Sequence, residues 1–509
     1  IILASGGDAD QADSSSLRSV LSLKSLNGPL EGHVVVEMRD IDNQPLLDLV
    51  GGSAVESLVS HDVIGRLMLM SVRMPGLAKV YESVLGFEGH EFYMKEWPEL
   101  VGLSFGDLLE RFPRAIPLGL QPMPGMVELN PLQNRVIEEN EQLIVIAEDD
   151  DTYKPELPVL VDVGKPPEPR PVTHTPEKIL ICGWRRDIRD VLLFLDCMVL
   201  PGSEVHMITH CVPLELRTQQ LLDEGLDVNV LNNIALIHHE GNTSVRRRLE
   251  QLPIESYTSC VIFADKAYEQ DPMHADSHSL ATLLLIRDIQ SSRAAWDSCA
   301  SCDSGQPTPI ICEILDSGTQ RTISGHRSLS VSSDFVQSNK LIAQILAMVA
   351  EQRSVKVMLD ELLGHGGCSL LVHPSHRYVG ERERVSFWMV AKRVAENNSI
   401  LIGYQLRGSA EGTVLNPSDK HLEQEWDEYD FAIIGGNRSL RTSCGAEMAF
   451  MHSRMAHSSS ATFEGAETRQ RRQQGGGGGG GAGKALESST SASKTPLAAL
   501  SRQQPPTKQ

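Results

Sequence analysis

The stretch Lys178-Ile-Leu-Ile-Cys182, followed at once by Gly183, decides the fold of this chain. A short apolar run that ends at a glycine is typical of a buried strand that turns into a helix. The same alternation continues with helices at residues 187–200, 214–224, 244–252 and 274–289 and strands at residues 204–208, 234–238, 260–264 and 310–314. Short apolar strands that alternate with helices predict parallel βαβ units and a doubly wound, Rossmann-like sheet.

Beyond this sheet the pattern changes twice. Residues 335–363 predict two paired helices, whose apolar stripe is longer than one domain face needs. Short strands at residues 369–372, 400–405 and 430–434 then indicate a small β-rich subdomain. We therefore predict one α/β domain over residues 177–438, with a Rossmann part at 177–330, helices at 335–363 and the β subdomain at 368–436.

Much of this pattern occurs twice in the chain. Three pairs of segments carry the repeat: Ile2-Leu-Ala-Ser5 with Ile262-Phe-Ala-Asp265, Val35-Val-Glu37 with Ile311-Cys-Glu313, and Leu129-Asn-Pro131 with Leu415-Asn-Pro417. A repeat this long indicates a duplicated domain rather than a solenoid. The first copy, residues 1–153, contains only the later elements: a strand at 1–4, paired helices at 63–85 and a β-rich part at 92–146. We expect the chain to be a fragment in which Ile1 falls at the fourth strand of the first domain.

Two segments differ from the domains in composition. Residues 154–176 join the copies and are rich in proline, which predicts a semi-rigid, extended linker. Residues 439–509 contain seven consecutive glycines and Ser/Gln-rich flanks, which predict a disordered tail.

The composition excludes some classes of function. The formal net charge is −21, which argues against nucleic-acid binding and is compatible with cation handling. Nine cysteines in a chain of this size do not form a disulfide framework, so a reducing compartment is expected. No apolar stretch reaches the roughly 20 residues that span a bilayer, so the fragment itself is expected to be soluble.

Carboxylates follow neighbouring strands of the second copy. Asp265 ends its fourth strand, Glu313 ends its fifth, and Asp316 lies one turn later. Because the carboxyl ends of adjacent parallel strands share one edge, these oxygens could converge on Ca²⁺, which prefers oxygen ligands. The alternative is that Glu313 caps a helix or binds a backbone amide. The first copy retains Glu37 and Asp40 but has Ser5 in place of the strand-end aspartate, which predicts a weaker site there.

The turn after the first strand does not favour a dinucleotide. The fingerprint G-x-G-x-x-G lets the backbone approach a pyrophosphate, whereas Cys182-Gly-Trp-Arg-Arg-Asp187 contains a single glycine. No NAD is therefore expected. Arg185 and Arg186 either meet a phosphate or form salt bridges at a domain contact.

Three further motifs have simpler interpretations. The acidic run Glu148-Asp-Asp-Asp151 is typical of a solvated strand exit, with a bound cation as the alternative. Cys299-x-x-Cys302 lacks the second ligand pair of a zinc site. His238 and His239 are adjacent on a strand and point to opposite faces. No recognisable set of catalytic residues appears, so we predict that the chain is not an enzyme.

The segments GHVVVEMRDIDNQPLLDLVGG (32–52), HDVIGRLMLM (61–70), KILICGWRRDI (178–188), EGNTSVRRRLE (240–250) and HADSHSLATLLLIRDIQS (274–291) resemble the CASTOR/POLLUX family of plant and algal ion channels. The resemblance covers roughly residues 1–438. It implies tandem RCK domains, of which this chain holds the later part of the first and all of the second. It also implies a homotetramer that forms a gating ring through RCK domains, a membrane pore upstream of Ile1, and a place in the nuclear membrane or another endomembrane.

The resemblance also bears on ligands. In calcium-gated prokaryotic potassium channels, similar RCK domains place an Asp and a Glu at two strand ends, which match Asp265 and Glu313; the next family acid falls on Leu315, beside Asp316. We therefore expect the gating-ring portion of a calcium-regulated cation channel that conducts calcium, potassium or both. The competing hypotheses are a nucleotide-dependent oxidoreductase and an interaction scaffold without a ligand.

Overall fold

A computed structural model of the chain describes residues 1–4, 9–26, 32–87, 89–123, 125–168, 175–268, 270–297, 308–324, 333–364, 367–409 and 411–436. The predicted disordered tail at 439–509, the Cys299–Cys302 pair and the predicted Ser5 position lie outside these residues. Within them, no helix combines the length and apolarity needed to cross a bilayer. Residues 1–153 are called the first half below, and residues 177–436 the second half.

The second half contains the doubly wound sheet that its sequence predicts. Its strands are β8 (Lys178–Cys182), β9 (Ser203–Thr209), β10 (Ile234–Glu240), β11 (Ser259–Ile262), β12 (Ile310–Ile314) and β13 (Asp334–Gln337). All pair in parallel in the order β10-β9-β8-β11-β12-β13. The chain reverses its winding direction between β8 and β11, so the switch point lies at their carboxyl ends.

The helices of this sheet are α6 (Ile188–Met198), α7 (Leu214–Asp223), α8 (Arg246–Leu249), α9 (Pro272–Asp297) and α10 (Ser317–Ser324). The helix predicted at residues 244–252 is longer than the observed α8. The Ser244 amide and hydroxyl both donate to the Asn242 side chain, which holds a turn before the helix begins. Helix α9 continues to Asp297, so the helix predicted at residues 274–289 ends too early.

The first half has the same later elements. Strands β1 (Ile2–Leu3), β2 (Val34–Met38) and β3 (Val55–Val59) form a parallel sheet in the order β1-β2-β3, which corresponds to β11-β12-β13. Helices α1 (Ala9–Lys24) and α2 (Gln44–Gly51) connect these strands. The sequence did not predict β3 or β13, because each runs into the next helix without a glycine or proline to separate them.

Paired helices follow each sheet, and they exchange partners. The pairs are α3 (Ser60–Arg73) with α4 (Leu77–Val84), and α11 (Ser338–Glu351) with α12 (Ser354–Leu363). Helix α3 of the first half packs on β11 and β12 of the second, whereas α11 packs on β1 and β2 of the first. This exchange explains the long apolar stripes, since each helix covers a sheet in the other half.

Antiparallel β subdomains complete both halves. The first contains β4 (Glu91–Glu96), β5 (Ala115–Pro122), β6 (Glu128–Leu129) and β7 (Glu141–Ala147), together with the short helix α5 (Phe105–Leu108). The second contains β14 (Cys368–Pro374), β15 (Arg384–Ser386), β16 (Ser399–Leu406), β17 (Val414–Leu415), β18 (Glu423–Glu425) and β19 (Tyr429–Gly436), with the unpredicted helix α13 (Phe387–Ala395). The Ser386 hydroxyl caps this helix by accepting from the Met389 amide.

The two β subdomains meet through equivalent residues. Asn130 donates its side-chain amide to the Asn398 carbonyl at 2.7 Å, and Asn416 donates to the Arg114 carbonyl at 2.8 Å. Both asparagines have positive φ, 45° and 39°, in the left-handed region that asparagine tolerates better than most residues. The repeated Leu-Asn-Pro motif therefore builds a contact that is related by an approximate two-fold exchange of the halves.

Candidate ligand sites at the strand ends and between the halves

Glu313, a predicted calcium ligand, is held by partners within the protein. Its side chain is 6% exposed and pairs with the Arg185 guanidinium at 3.3 Å. Its carboxylate also accepts from the Ala264 amide at 3.0 Å and the Ser338 hydroxyl at 2.6 Å. The alternative in which Glu313 binds a backbone amide is therefore realised. A cation could use this carboxylate only by displacing Arg185.

Asp316 and Asp40 cap the turns that follow their strands. Asp316 accepts from the Thr319 amide at 2.9 Å, at the start of α10. Asp40 accepts from the Asp42 amide at 2.9 Å and caps the short 3₁₀ turn Ile41–Asn43. Such oxygens already satisfy backbone donors at a helix start. Glu37 is half-buried on β2.

Two buried aspartates hold the loops that carry these caps. Asp276 accepts from the amides of Leu315 and Asp316 at 2.8 and 2.9 Å. Asp13 accepts from the amides of Arg39 and Asp40 at 2.8 and 3.1 Å. Burial raises the pKa of Asp276, and the two amides oppose this rise. The dipeptides Ala12-Asp13 and Ala275-Asp276 occupy equivalent places in the repeat and thus have the same structural role in each half.

Asp265, the third predicted ligand in this half, lies in a different group. It is 3% exposed and accepts from the Thr209 hydroxyl and the Ala267 amide, both at 3.2 Å. The ligand atoms of His210, Cys211 and Asp265 all lie within 4.8 Å of one another. Sequence reasoning missed His210 and Cys211. The available signal was a His-Cys pair directly after β9, at the sheet edge that carries Asp265.

The switch point itself is filled by side chains of this chain. Gly183 has φ +104°, and a Cβ there would lie 2.9 Å from the Phe263 carbonyl oxygen. Trp184 is fully buried, and the Arg185 guanidinium lies 5.0 Å from the centre of the Phe263 ring. Trp184 and Arg185 thus pack within the protein, in the turn where a dinucleotide fold would need glycines.

Arg185 and Arg186 form salt bridges beside the contact between the halves, one of the two roles that the sequence left open. Arg185 binds Asp187 at 2.8 Å and donates to the His61 carbonyl at 2.8 Å, at the start of α3. Arg186 pairs with Asp10 at 3.0 Å. These contacts fasten the first turns of α3 and α6 to the carboxyl edge of the sheet.

A cleft of about 200 Å³ lies beside these contacts, between the two halves. Six carboxylates and four cationic side chains line it, so it carries a net negative charge. Burial raises the pKa of Asp190 to about 6; Arg189 opposes this rise, and Asp62 and Asp187 add to it. Burial likewise raises the pKa of Asp62, with Asp187 contributing. These carboxylates repel one another in a partly desolvated space, which a cation would relieve.

Comparison with known proteins identifies relatives of the chain. Residues 61–163 match a family model described as Castor and Pollux, part of voltage-gated ion channel. The chain is 44% identical over 452 residues to the ion channel CASTOR of Lotus japonicus, covering 85% of this chain and 52% of that protein. It is 43% identical over 452 residues to the probable ion channel POLLUX of Arabidopsis thaliana, covering 85% and 54%.

These matches confirm the predicted resemblance: the chain is related to the CASTOR/POLLUX ion channels, and it spans about half the length of these curated relatives. Its relatives are named channels and not enzymes, in agreement with the sequence-based prediction. Among solved structures, the human SLO3 gating ring superposes with a TM-score of 0.59 at 13% identity, covering 86% of both chains. This similarity confirms the tandem RCK-type fold.

Proposed function

We propose that this chain is the regulatory, gating-ring portion of a calcium-regulated cation channel. The observation that carries the proposal is the exchange of α3 and α11 between the halves, together with the acidic cleft at their junction. A ligand can shift a conformational equilibrium only by binding one arrangement more tightly than another. A cleft lined by both halves meets this requirement, because its carboxylates separate or approach when the halves move.

Calcium is the ligand that fits the cleft best. Hard oxygen donors dominate its lining, including Asp62, Asp187 and Asp190 from the first turns of α3 and α6 and Asp40 from the first half. The predicted site at Asp265, Glu313 and Asp316 offers three carboxylates, two of which already bind Arg185 and Thr319. The cleft offers six, although several of these also pair with arginines. We therefore place the regulatory calcium in the cleft and keep the strand-end site as the alternative.

Calorimetric titration of the 509-residue chain with CaCl₂ tests this assignment. We expect the wild type to bind Ca²⁺, the double variant Asp62→Asn with Asp190→Asn to lose at least tenfold in affinity, and Asp265→Asn with Glu313→Gln to bind as the wild type does. Affinity should also fall below pH 6, because Asp190 then retains its proton. If the wild type does not bind Ca²⁺, the calcium proposal fails. If only the second pair of substitutions reduces binding, the calcium belongs at the strand ends.

The remaining parts of the proposal concern the whole channel. By similarity to its relatives, we infer a homotetramer assembled through these RCK domains, a membrane pore upstream, conduction of calcium or potassium, and a nuclear-membrane location. A chimera that joins the pore region of Lotus CASTOR to this chain would test gating. We expect its open probability in planar bilayers to depend on calcium on the side of the ring, and to lose that dependence with the cleft double variant.

A further inference from the structure

His210, Cys211 and Asp265 meet on the carboxyl edge of the sheet, across β8. His210 and Cys211 directly follow β9, and Asp265 follows β11. Because β9 and β11 flank β8 in the sheet, loops that leave their carboxyl ends approach each other above it. The ligand atoms of the three side chains lie within 4.8 Å of one another, close enough for each to coordinate one ion. Among the described residues, these three form the group of His, Cys, Asp or Glu side chains whose ligand atoms are close enough to share a metal ion.

Neighbouring groups hold the side chains of His210 and Asp265 and the backbone of Cys211. The Thr209 hydroxyl donates to Asp265 Oδ2 at 3.2 Å and accepts from the Cys211 amide at 3.1 Å. The Ala267 amide binds the other carboxylate oxygen of Asp265. The Tyr268 hydroxyl lies 3.1 Å from His210 Nε2 and therefore leaves Nδ1 for a ligand. Hydrogen bonds of this kind fix the direction of metal-binding side chains and contribute to metal affinity.

We propose that His210, Cys211 and Asp265 form a binding site for a zinc ion. An imidazole nitrogen, a thiolate sulfur and one carboxylate oxygen suit Zn²⁺, whereas Ca²⁺ takes oxygen ligands. Three protein ligands leave the fourth tetrahedral position for water or for an external group. His210 is exposed and Cys211 is half-buried, so the ion reaches the site from solvent, whereas Asp265 is buried. The site does not depend on the channel function proposed above.

The chemistry of binding is a proton exchange. The Cys211 thiol gives up its proton to solvent as the sulfur–zinc bond forms, and no oxidation takes place. Burial, with Asp265 contributing, raises the pKa of this thiol to about 12 in the protein without metal. The thiol therefore stays protonated near neutral pH until a cation displaces the proton.

Titration of the 509-residue chain with Co²⁺ tests the site, because cobalt bound to thiolate gives a charge-transfer absorption band in the near ultraviolet. We expect the band to saturate at one equivalent and to disappear when Zn²⁺ is added. Cys211→Ser should abolish the band, and His210→Asn and Asp265→Asn should each weaken Zn²⁺ binding at least tenfold. Cys197→Ser is the matched control, since Cys197 is another partly exposed cysteine in the same half, and it should leave the band unchanged.

Other results would overturn the proposal. These are the absence of a band in the wild type, a band that persists in Cys211→Ser, or a band that is lost in Cys197→Ser. Displacement of Co²⁺ by Ca²⁺ at equal concentration would also contradict it, because it would indicate a site of oxygen ligands. Thermal unfolding without metal checks that each variant folds. If one variant does not fold, the spectra of the wild type and of the remaining variants still test the site.

Discussion

Replacing Arg185 by methionine should destabilise the folded chain more than replacing an exposed charged residue at the contact between the halves. The Arg185 side chain is 3% exposed, and its removal leaves Glu313 and Asp187 buried without their cation. Breaking a buried pair by removing one partner typically costs about 3–5 kcal/mol. Because Glu313 keeps the Ala264 amide and the Ser338 hydroxyl, we expect the lower end, about 3 kcal/mol.

Urea unfolding of the 509-residue chain, followed by tryptophan fluorescence, measures this loss. Trp184 is buried beside the substituted residue and reports on the junction directly. Lys340→Met is the control, since Lys340 likewise forms an ion pair at the contact between the halves, with Glu82 at 2.9 Å, but is 44% exposed. Exposed pairs contribute about 0.2–1 kcal/mol, so the control should shift the unfolding midpoint only slightly.

A double-mutant cycle with Glu313→Gln separates the ion pair from the loss of packing. The glutamine oxygen still accepts from the Ala264 amide but no longer leaves a buried charge. We therefore expect the two substitutions together to cost about 1–2 kcal/mol less than the sum of their separate effects. If Arg185→Met proves no more destabilising than Lys340→Met, or if the cycle gives additive energies, the buried network does not hold the halves together.

Three further predictions follow from individual residues. Gly119→Ala and Gly403→Ala should each destabilise the chain by about 1–3 kcal/mol in urea unfolding, because a Cβ at either bulge would overlap a carbonyl oxygen of the adjacent strand. Burial lowers the pKa of Lys420 to about 7, so the unfolded chain binds more protons than the folded one from pH 7 to 10. The unfolding free energy of the wild type should therefore rise relative to that of Lys420→Met by up to about 1.4 kcal/mol per pH unit in that window. A difference between the two proteins that does not change with pH would contradict the lowered pKa of Lys420. The raised pKa of Asp190 gives the opposite pH dependence, because the stability that this group contributes is lost as pH rises through about 6. Asp190→Asn should therefore stabilise the chain more at pH 7 than at pH 4 in thermal unfolding without calcium.

Local patterns in the sequence predicted the sheet well and its boundaries less well. The central strands are continuous apolar runs between turn residues, which is the strongest signal that a parallel sheet leaves. Strand β13 lacks this signal, because Asp334–Gln337 runs directly into α11 without a turn residue and shares the apolar pattern of the helix. Helix α13 was missed because a single helix in a β-rich segment is specified by its Ser386 cap rather than by a long period.

The exchange of helices had no local signal. The repeat makes α3 and α11 equivalent, so an apolar stripe on either helix fits its own sheet as well as the other one. The length of the stripes indicated contacts beyond one domain but did not assign the partner. Only the described contacts of α3 with β11 and β12 decide it.

The candidate sites were predictable to the level of the sheet edge and no further. Topology placed Asp265 and Glu313 at carboxyl ends of adjacent strands, and both are there. Their partners come from distant residues: Arg185 is 128 positions from Glu313, and Thr209 is 56 positions from Asp265. Such pairings follow from the turn after β8 and the loop after β9, whose side-chain directions the sequence pattern does not determine.

The cleft and the His210–Cys211–Asp265 group act on the same piece of structure from two sides. His61 and Asp62 begin α3, and Arg185 links His61 to the edge of the sheet beside the cleft. The body of α3 covers β11, and the loop after β11 carries Asp265. A cation in the cleft would reduce repulsion between the first turns of α3 and α6, whereas an ion on Asp265 would fix the loops of β9 and β11 to each other. If both proposals hold, occupancy of either site changes the free energy of moving α3 over its sheet, so by linkage each ion must alter the affinity of the other.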